Sequence, residues 1–553
     1  SSGRTHANDR RTEKTMFPTH KRASGFSPSR GVARNSFPSF PSWNTASSIM
    51  NSFLHLTVLI LLSGGLLAAQ EPPPGKEARP NFVVILADDL AWDDLGAFGN
   101  EKVRTPNLDR LASEGMCFDQ AFLTISSCSP SRASILTGRY PHQTDAEQLH
   151  WPIPESQIIF PQRLKKAGYF VGAAGKWHLG DAMRDRFTVV REVDTSGFQL
   201  PPNAGAVSGG KFKETSTGDE RSGCAEWVDL LKERDPAIPF FLWLAAVDPH
   251  RPYEKQISTE PHPPGEVIIP PYHPDTPLVR QDYARYYDEI TRLDRFVGAV
   301  LQELETQKAA NNTIVIFLSD NGRPFPRDKT TLYDSGIRTP LIMRWPTTIK
   351  PGSRCNQLVS SIDLAPTILT LAGLPVGPSL VGRNFTALLE GRDIEIRDAI
   401  FAEKNWHDYE DRSRAVRDDR YKYIINHYSD LPGTPPADAA RSDTFKEMQR
   451  LRMEGTLPAV QATPFTAPRP REELYDLSTD PHELRNLALD PAHQDTLERL
   501  RVEYRQWRIR TQEKTPKLRT PDEFDRVTGT PTPARIRPRW SKDKMIKEGV
   551  LLP

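Results

Sequence analysis

The chain has 553 residues, of which 37% are hydrophobic and 26% are charged, and this is enough for one large or two ordinary globular domains. Its 72 basic residues nearly balance its 71 acidic ones, so the composition gives no support for nucleic-acid binding along the whole chain. Fifty prolines favour long ordered loops over a helical bundle.

The N-terminal region predicts an export signal. Residues 1–49 are polar and basic, typical of a disordered segment or of sequence upstream of the true start. From Met50 an apolar run leads to small residues near position 70, and we interpret residues 50–70 as a secretory signal peptide. The alternative is a signal anchor that uses the basic residues upstream. The signal-peptide interpretation predicts a periplasmic or secreted protein (lysosomal-type in a eukaryote) without a stable membrane span.

Apolar runs of strand length alternate with amphipathic helical patterns over residues 76–392. Strands are expected at 82–86, 169–171, 240–244, 314–318 and 341–343. Helices are expected from Pro106 towards Gly115 and along a face that extends from Tyr287 to Leu304. This alternation predicts an α/β fold with a large, mostly parallel sheet sandwiched by helices. Ligands of such sheets bind beyond the carboxyl ends of the strands.

The pattern changes after residue 392. Short strands separated by polar turns, followed by a terminal helix, predict a smaller α+β domain with an antiparallel sheet over residues 393–514. Residues 431–471 are rich in Pro and Ala, and we interpret them as a long surface excursion. Residues 515–553 are interpreted as an extended basic tail.

A thirteen-residue segment, Ser127–Arg139, carries an unusual combination of residues. Pro130 suits a first helical turn and Gly138 suits a helix end, so Cys128 is expected at a helix N-terminus, where an anion is favoured. Arg132 would lie one turn along on the same face. An isolated Cys-x-Pro would more often be packing material, because free cysteine is among the most buried residue types.

Two pairs of polar residues follow predicted strands. Asp88 and Asp89 follow the first strand, and Asp320 and Asn321 follow the strand at 314–318. Either pair alone is an ordinary loop or helix-cap feature. Adjacent carboxylates that face one cavity repel one another unless a cation neutralises them, and such hard oxygen donors suit Ca²⁺ or Mg²⁺.

The segment around Cys128 resembles the signature of the formylglycine-dependent (type I) sulfatases of the alkaline phosphatase superfamily. In that family a host maturation enzyme oxidises the cysteine to formylglycine, and the hydrate of this aldehyde is the nucleophile. The resemblance implies an alkaline-phosphatase-like fold, and it implies that Cys128 is converted in this way. It also implies one calcium ion, held beside the bound sulfate by residue 128 and by Asp88, Asp89, Asp320 and Asn321.

Further residues match the family's active-site motifs, although each alone has an ordinary loop interpretation. In the Gly-Lys-x-His element, the resemblance implies that Lys176 neutralises anionic oxygens and that His178 hydrogen-bonds the formylglycine hydrate, with a plausible role as base. His250 matches a histidine that contacts the sulfate ester and protonates the leaving group. Lys329 fits the second sulfate-binding lysine. Arg132 completes the expected set of cations around the sulfate.

The substrate is less sharply indicated. Residues 320–326 and 474–483 resemble segments of the heparan N-sulfatases (sulfamidases), which favours sulfated glycosaminoglycan or polysaccharide fragments as substrates. Sulfamidases have arginine where Lys329 stands, so O-sulfatase or arylsulfatase activity on another sulfated glycan is the alternative. His407 and Arg417 are candidates to contact the sugar, but we prefer surface roles for both.

Two other protein classes, phosphatases or phosphodiesterases and non-catalytic carbohydrate-binding proteins, are the alternatives to a sulfatase. A phosphatase or phosphodiesterase of the same superfamily would usually have Ser or Thr at the nucleophile and more histidine ligands, so Cys128 argues against it. A non-catalytic carbohydrate-binding protein would not need the complete set of polar residues. If Cys128 is consumed by oxidation, the other three cysteines allow at most one disulfide. Nothing in the pattern indicates the oligomeric state.

Overall fold

A twisted sheet of eight strands lies at the centre of the larger part of the molecule. The computed structural model describes residues 79–193, 219–254, 257–516 and 519–533. The predicted signal peptide and the residues before it therefore lie outside the described residues. The described residues form fourteen strands in three sheets: β1 (Asn81–Ala87), β2 (Met116–Phe118), β3 (Ala121–Phe122), β4 (Phe170–Gly175), β5 (Val189–Glu192), β6 (Phe240–Ala245), β7 (Thr313–Ser319), β8 (Leu341–Arg344), β9 (Ser353–Cys355), β10 (Val359–Ser360), β11 (Ile400–Lys404), β12 (Ser413–Arg417), β13 (Tyr421–Asn426) and β14 (Glu472–Asp476).

Helices cover both faces of the eight-stranded sheet. The α-helices of the described residues are α1 (Pro106–Ser113), α2 (Cys128–Thr137), α3 (Phe160–Lys166), α4 (Trp227–Glu233), α5 (Pro277–Thr306), α6 (Asp334–Ile337), α7 (Leu364–Leu371), α8 (Thr386–Leu389), α9 (Ala437–Ala440), α10 (Asp443–Met453) and α11 (Gln494–Thr511), and α1–α5, α7 and α8 contribute to the cores on the two faces of this sheet. No helix among the described residues is both long enough and apolar enough to cross a membrane.

The central strand β1 is buried on both faces, as its unbroken apolar run predicts. Phe82 belongs to a core shared with α2, α3, α7 and α8, whereas its neighbour Val83 belongs to a core shared with α1, α4 and α5. Successive side chains of a strand point to opposite faces, so one strand supports both cores. The predicted sandwich of helices around a sheet is confirmed.

Strand direction decides where the chain's polar motifs meet. The sheet order is β5-β4-β6-β1-β7-β8-β2-β9. Strands β4, β6, β1 and β7 are parallel neighbours, so their carboxyl ends lie at one edge. β8 runs antiparallel to β7, which makes the sheet mostly parallel. The residues that follow the four parallel strands include Asp88, Lys176, Asp248 and Asp320.

The predicted antiparallel sheet in the C-terminal part is also present, in the order β11-β12-β13-β14. Tyr504 and Trp507 of α11 pack with Phe401 and Val416 on one of its faces. On the other face, Ile400, Ala415 and Ile424 share a core with residues of the 332–337 segment and with Phe122. This sheet is therefore held between α11 and residues that flank the eight-stranded sheet.

Two C-terminal segments differ from the sequence-based expectation. Residues 431–471 are not simply a surface excursion, because they contain α9 and α10, and Thr444 of α10 donates a hydrogen bond to Asp282 of α5 at 2.7 Å. Residues 519–533, the described part of the presumed basic tail, contain a buried Phe524, and Pro521 accepts a hydrogen bond from Trp406. Proline-rich composition marks both segments as irregular, but it does not reveal that they pack.

All four cysteines are buried free thiols, so none forms the single disulfide that the sequence would allow.

The loop after β6 depends on a buried ion-pair network. Arg292 of α5, with a side chain 4% exposed, donates to both carboxylate oxygens of Asp248 at 2.6 and 2.7 Å and to Glu289 at 2.5 Å. We predict that Arg292→Met lowers the free energy of unfolding in urea by about 3–5 kcal/mol, because it leaves two carboxylates buried without this cation.

The matched control for this prediction is Arg295→Met on the same helix. Arg295 pairs with Asp219, and its side chain is 60% exposed. An exposed pair contributes at most about 1 kcal/mol, so the control should unfold almost like the unaltered protein. Equal, small losses in both variants would contradict the structural role of Arg292.

Candidate active site

Cys128 lies where the sequence predicts it, at the start of α2. Ser127 precedes the helix with an extended backbone, and the helix ends at Gly138, whose φ of 63° is left-handed. The Cys128 thiol is almost fully buried and donates to Asp88 Oδ1 at 3.4 Å. Burial, followed by the Asp88 charge, raises the pKa of this thiol well above its ordinary value. Cys128 therefore stays protonated, and a protonated thiol is a poor nucleophile.

The predicted carboxylates converge on Cys128. Ligand atoms of Asp88, Asp89, Asp320 and Cys128 lie within 4.8 Å of one another, and all four residues are buried. Burial, together with the Asp88 charge, raises the pKa of Asp89 and of Asp320 to about 7 despite nearby cations. For Asp88 itself burial acts in the same direction, but Lys176 and other cations outweigh it and hold its pKa well below the ordinary value.

This donor set fits a divalent cation. Asn321 Oδ1 is buried and has no hydrogen-bond partner among the described residues, while Asn321 Nδ2 donates to Asp89. A buried, unsatisfied amide oxygen costs free energy unless some group binds it. Three carboxylates and one amide oxygen are the hard ligands that Ca²⁺ prefers, and a cation among them would favour their ionised forms.

Three cationic side chains surround the carboxylates. Lys176 Nζ donates to Asp88, and Lys329 Nζ donates to Asp89 Oδ2 at 2.8 Å. Arg132 Nε donates to Asp320 Oδ2 at 2.7 Å, and its Nη1 donates to the Lys176 carbonyl at 2.9 Å. Arg132 Nη2 is buried without a hydrogen-bond partner in the described structure. Arg132 Nη2 can therefore still donate a hydrogen bond to an anion that binds in the site.

Two predicted histidines lie beside these cations. His178 Nε2 is 2.7 Å from His150 Nδ1, and burial together with Lys176 and Arg132 lowers the pKa of His178 well below its ordinary value. His250 Nδ1 donates to the Arg251 carbonyl. Burial and the two lysine cations lower the pKa of His250 to about 3. Both histidines are therefore neutral near pH 7 when no anion is bound.

His407 and Arg417 are both buried, so the surface roles preferred from the sequence are wrong. His407 Nδ1 lies 2.6 Å from the Ser127 hydroxyl, next to Cys128, which brings His407 to the edge of the site. Arg417 instead lies 3.3 Å from the Asp334 carboxylate and stacks over the Phe122 ring. These contacts join Arg417 to the core around β12.

Sequence reasoning missed three residues of the site: Ser127, His150 and Asp438. Asp438 of α9 accepts a hydrogen bond from Lys329 Nζ at 3.0 Å, and its Oδ2 lies 3.6 Å from His250 Nε2. It stands alone in a segment rich in Pro and Ala, so no local pattern marks it. The double serine before Cys128 and the histidine before Trp151 are equally unremarkable in sequence.

Comparisons with known proteins agree with this geometry. Residues 80–374 match the family model for sulfatases, and residues 325–450 match the model for the C-terminal region of N-sulphoglucosamine sulphohydrolase. An ulvan-active sulfatase of Formosa agariphila is 31% identical over 476 residues, which cover 78% of this chain and 74% of that protein. The N-sulphoglucosamine sulphohydrolase of Homo sapiens is 32% identical over 479 residues, which cover 78% and 91%.

Solved structures support the fold. One, determined in complex with its substrate D-glucosamine-2-N,6-O-disulfate, superposes with a TM-score of 0.61 at 20% identity and covers 81% of this chain and all of that one. The family model spans more than half of the chain, and the two relatives are aligned over most of their own lengths. The resemblance inferred from the motif around Cys128 is confirmed: the chain belongs to the sulfatase family of sulfuric ester hydrolases.

Proposed function

We propose that this protein is an exported sulfatase that hydrolyses sulfate esters or sulfamates of sulfated carbohydrates, such as glycosaminoglycan fragments. The observation that carries the proposal is the buried cluster in which Cys128 meets three carboxylates inside a ring of three cations. A sulfate group is anionic, and groups that hold it must supply positive charge in a water-poor pocket. The relatives' names, an ulvan-active sulfatase and an N-sulphoglucosamine sulphohydrolase, support a carbohydrate substrate.

Asp88, Asp89, Asp320 and Asn321, together with residue 128, would hold one calcium ion. The unpartnered Asn321 Oδ1 and the convergence of three buried carboxylates support a cation at this place. When bound, the ion supplies positive charge next to the sulfate oxygens.

Residue 128 would act after a maturation enzyme has oxidised the cysteine to formylglycine, as the resemblance of its segment to the formylglycine-dependent sulfatases implies; the buried, protonated thiol is itself a poor nucleophile. The hydrated aldehyde offers two hydroxyls, one for attack on sulfur and one whose deprotonation allows sulfate to leave. Arg132 lies one turn along α2 from residue 128 and donates to Asp320, so its positive charge would favour an anion at this position. The N-terminus of α2 adds favourable backbone charge for an anion.

The remaining residues would bind the sulfate and move protons. Lys176, Lys329 and Arg132 Nη2 are placed to bind sulfate oxygens. The added negative charge would raise the pKa of His250, so that its Nε2 carries a proton to the leaving atom. His178 keeps Nδ1 without a hydrogen-bond partner in the described structure, and the negative charge of the bound sulfate would raise its lowered pKa, so it would act as the base that deprotonates the remaining hydroxyl.

The direct assay of this proposal measures inorganic sulfate released from defined N-, 2-O- and 6-O-sulfated disaccharides, beside a phosphorylated aryl ester. We expect sulfate release from at least one sulfated sugar and much slower phosphate release. Hydrolysis of the phosphate ester alone would favour the phosphatase class instead.

We predict that Asn321→Ala weakens calcium binding about tenfold or more. The substitution removes a neutral oxygen ligand and also the hydrogen bond that Asn321 Nδ2 donates to Asp89. Calorimetric titration of the metal-depleted protein with calcium measures this independently of turnover. Asn311→Ala is the matched control, because Asn311 is exposed. Unchanged calcium affinity in Asn321→Ala would contradict the assigned ligand set.

We predict that Cys128→Ala lowers turnover about a thousandfold or more, since the reacting group is gone. Cys128→Ser should instead retain one sulfo group per chain after incubation with an aryl sulfate, visible in the intact mass. The serine oxygen bonds to sulfur as the ester S–O bond breaks and the phenol leaves with the proton, but no second hydroxyl can release the sulfate. Cys355→Ser, a buried cysteine on β9, is the control that should keep turnover. Substantial turnover by Cys128→Ala would refute the role of this residue.

A further inference from the structure

Asp438 reaches the site from the C-terminal part of the chain. Its Oδ2 accepts from Lys329 Nζ at 3.0 Å, and its Oδ1 accepts from the Ala439 backbone N–H at 2.8 Å. Its side chain is 16% exposed, whereas the side chains of Asp88, Asp89 and Asp320 are fully buried. Asp438 is therefore the carboxylate of this cluster that an entering substrate can touch.

A carboxylate in this position calls for an explanation. The pocket is built to hold an anion, and a second negative charge repels a sulfate group. Lys329 offsets part of this repulsion, but Lys329 also pairs with Asp89, so Asp438 is not needed to give the lysine a partner. A carboxylate that faces a bound substrate is favourable when the substrate offers it a hydrogen-bond donor.

The distance between the side chains of Asp438 and His250 indicates which substrate atom Asp438 can contact. Asp438 Oδ2 is 3.6 Å from His250 Nε2. Two atoms this far apart share positions that lie within hydrogen-bond reach, about 2.6–3.2 Å, of both. In the proposed function, His250 protonates the atom that bridges sulfur and the sugar. A bridging atom that lies in this shared region contacts Asp438 as well as His250.

The bridging atom differs between the two substrate classes. In a sulfamate it is a nitrogen that carries one hydrogen, so it can donate to a carboxylate. In a sulfate ester it is an oxygen without hydrogen, and its lone pairs face those of the carboxylate. A site that hydrogen-bonds a substrate N–H discriminates strongly against the analogue that lacks it. We propose that Asp438 is a specificity residue that selects sulfamates over sulfate esters by accepting a hydrogen bond from the bridging N–H, an inference that rests on the proposed function.

The surrounding contacts hold Asp438 and His250 in a fixed relation. Arg251, the residue after His250, donates to both carboxylate oxygens of Asp282 at 2.8 Å. Thr444, six residues after Asp438, donates to the same carboxylate at 2.7 Å. Asp282 of α5 thus links the loop that carries His250 to the segment that carries Asp438. This link holds the two side chains at a fixed distance, and a fixed distance is needed to discriminate between two bridging atoms.

The test compares kcat/KM for N-sulfated glucosamine with kcat/KM for 6-O-sulfated glucosamine, in the unaltered protein and in Asp438→Asn. This substitution keeps the shape of the side chain but removes its charge. We expect the ratio of N-sulfate to O-sulfate hydrolysis to fall about tenfold to a hundredfold, the factor that one hydrogen bond to a charged group contributes. Asp430→Asn, in the same segment with a side chain 66% exposed, is the matched control and should leave the ratio unchanged.

A parallel fall for both substrates would overturn the inference, because it would make Asp438 only a partner of Lys329. Hydrolysis of O-sulfates alone by the unaltered protein would overturn it too. Hydrolysis of neither sulfated glucosamine would overturn the inference, and release of no sulfate from the N-, 2-O- and 6-O-sulfated disaccharides as well would reject the proposed function itself.

A substrate-side measurement covers the case in which Asp438→Asn does not fold. N-methylation of the sulfamate removes the N–H while the protein stays unaltered. We expect the N-methyl sulfamate to be hydrolysed at least about tenfold more slowly than the parent. The corresponding O-sulfated sugar with a methyl group on the carbon next to the ester controls for bulk. Equal losses for the two methylated substrates would contradict the inference.

Discussion

Three buried carboxylates held near one point are the constraint on which this structure depends. Asp88, Asp89 and Asp320 follow adjacent parallel strands, so the sheet brings them together whatever their mutual repulsion. Such a cluster is stable only when positive charge and hydrogen-bond donors surround it. Lys176, Lys329 and Arg132 supply that charge, and each is fixed by a hydrogen bond to a different member of the cluster. The same residues that stabilise the fold thus create a pocket that attracts an anion.

The C-terminal part of the chain completes this pocket. His407, which follows β11, contacts Ser127 beside Cys128, and Asp438 of α9 contacts Lys329. The parallel sheet provides Asp88, Asp89, Asp320 and Lys176 at its carboxyl edge, where sheets of this kind bind their ligands. His250 comes from the same edge, in the loop after β6, whereas His407 and Asp438 come from the C-terminal part. The cluster around Cys128 is therefore built from two parts of the chain, the loops at the carboxyl edge of the large sheet and the segments that carry His407 and Asp438.

Much of the architecture could be predicted because local patterns of apolar residues in the sequence determine it. The apolar runs at 82–86 and 314–318 predict strands buried on both faces, and both form within the central sheet. Asp88, Lys176 and Asp320 could be placed at one edge because they follow parallel strands, whereas Cys128 and Arg132 on α2 could be joined to them only through the resemblance of their motif to the sulfatase signature. Asp438 could not be placed in this way. It lies 109 residues from Lys329, and only the packing of α10 against α5 brings the two together. The same holds for His150, which reaches His178 through a loop without periodicity.

The most direct test of the account is the chemical state of residue 128 in active protein purified from the native host. Peptide mass spectrometry of the segment that contains it should show that the cysteine sulfur has been replaced by the oxygen of an aldehyde, and that this group reacts with a hydrazide. An intact thiol at residue 128 in protein that hydrolyses sulfated sugars would contradict the account.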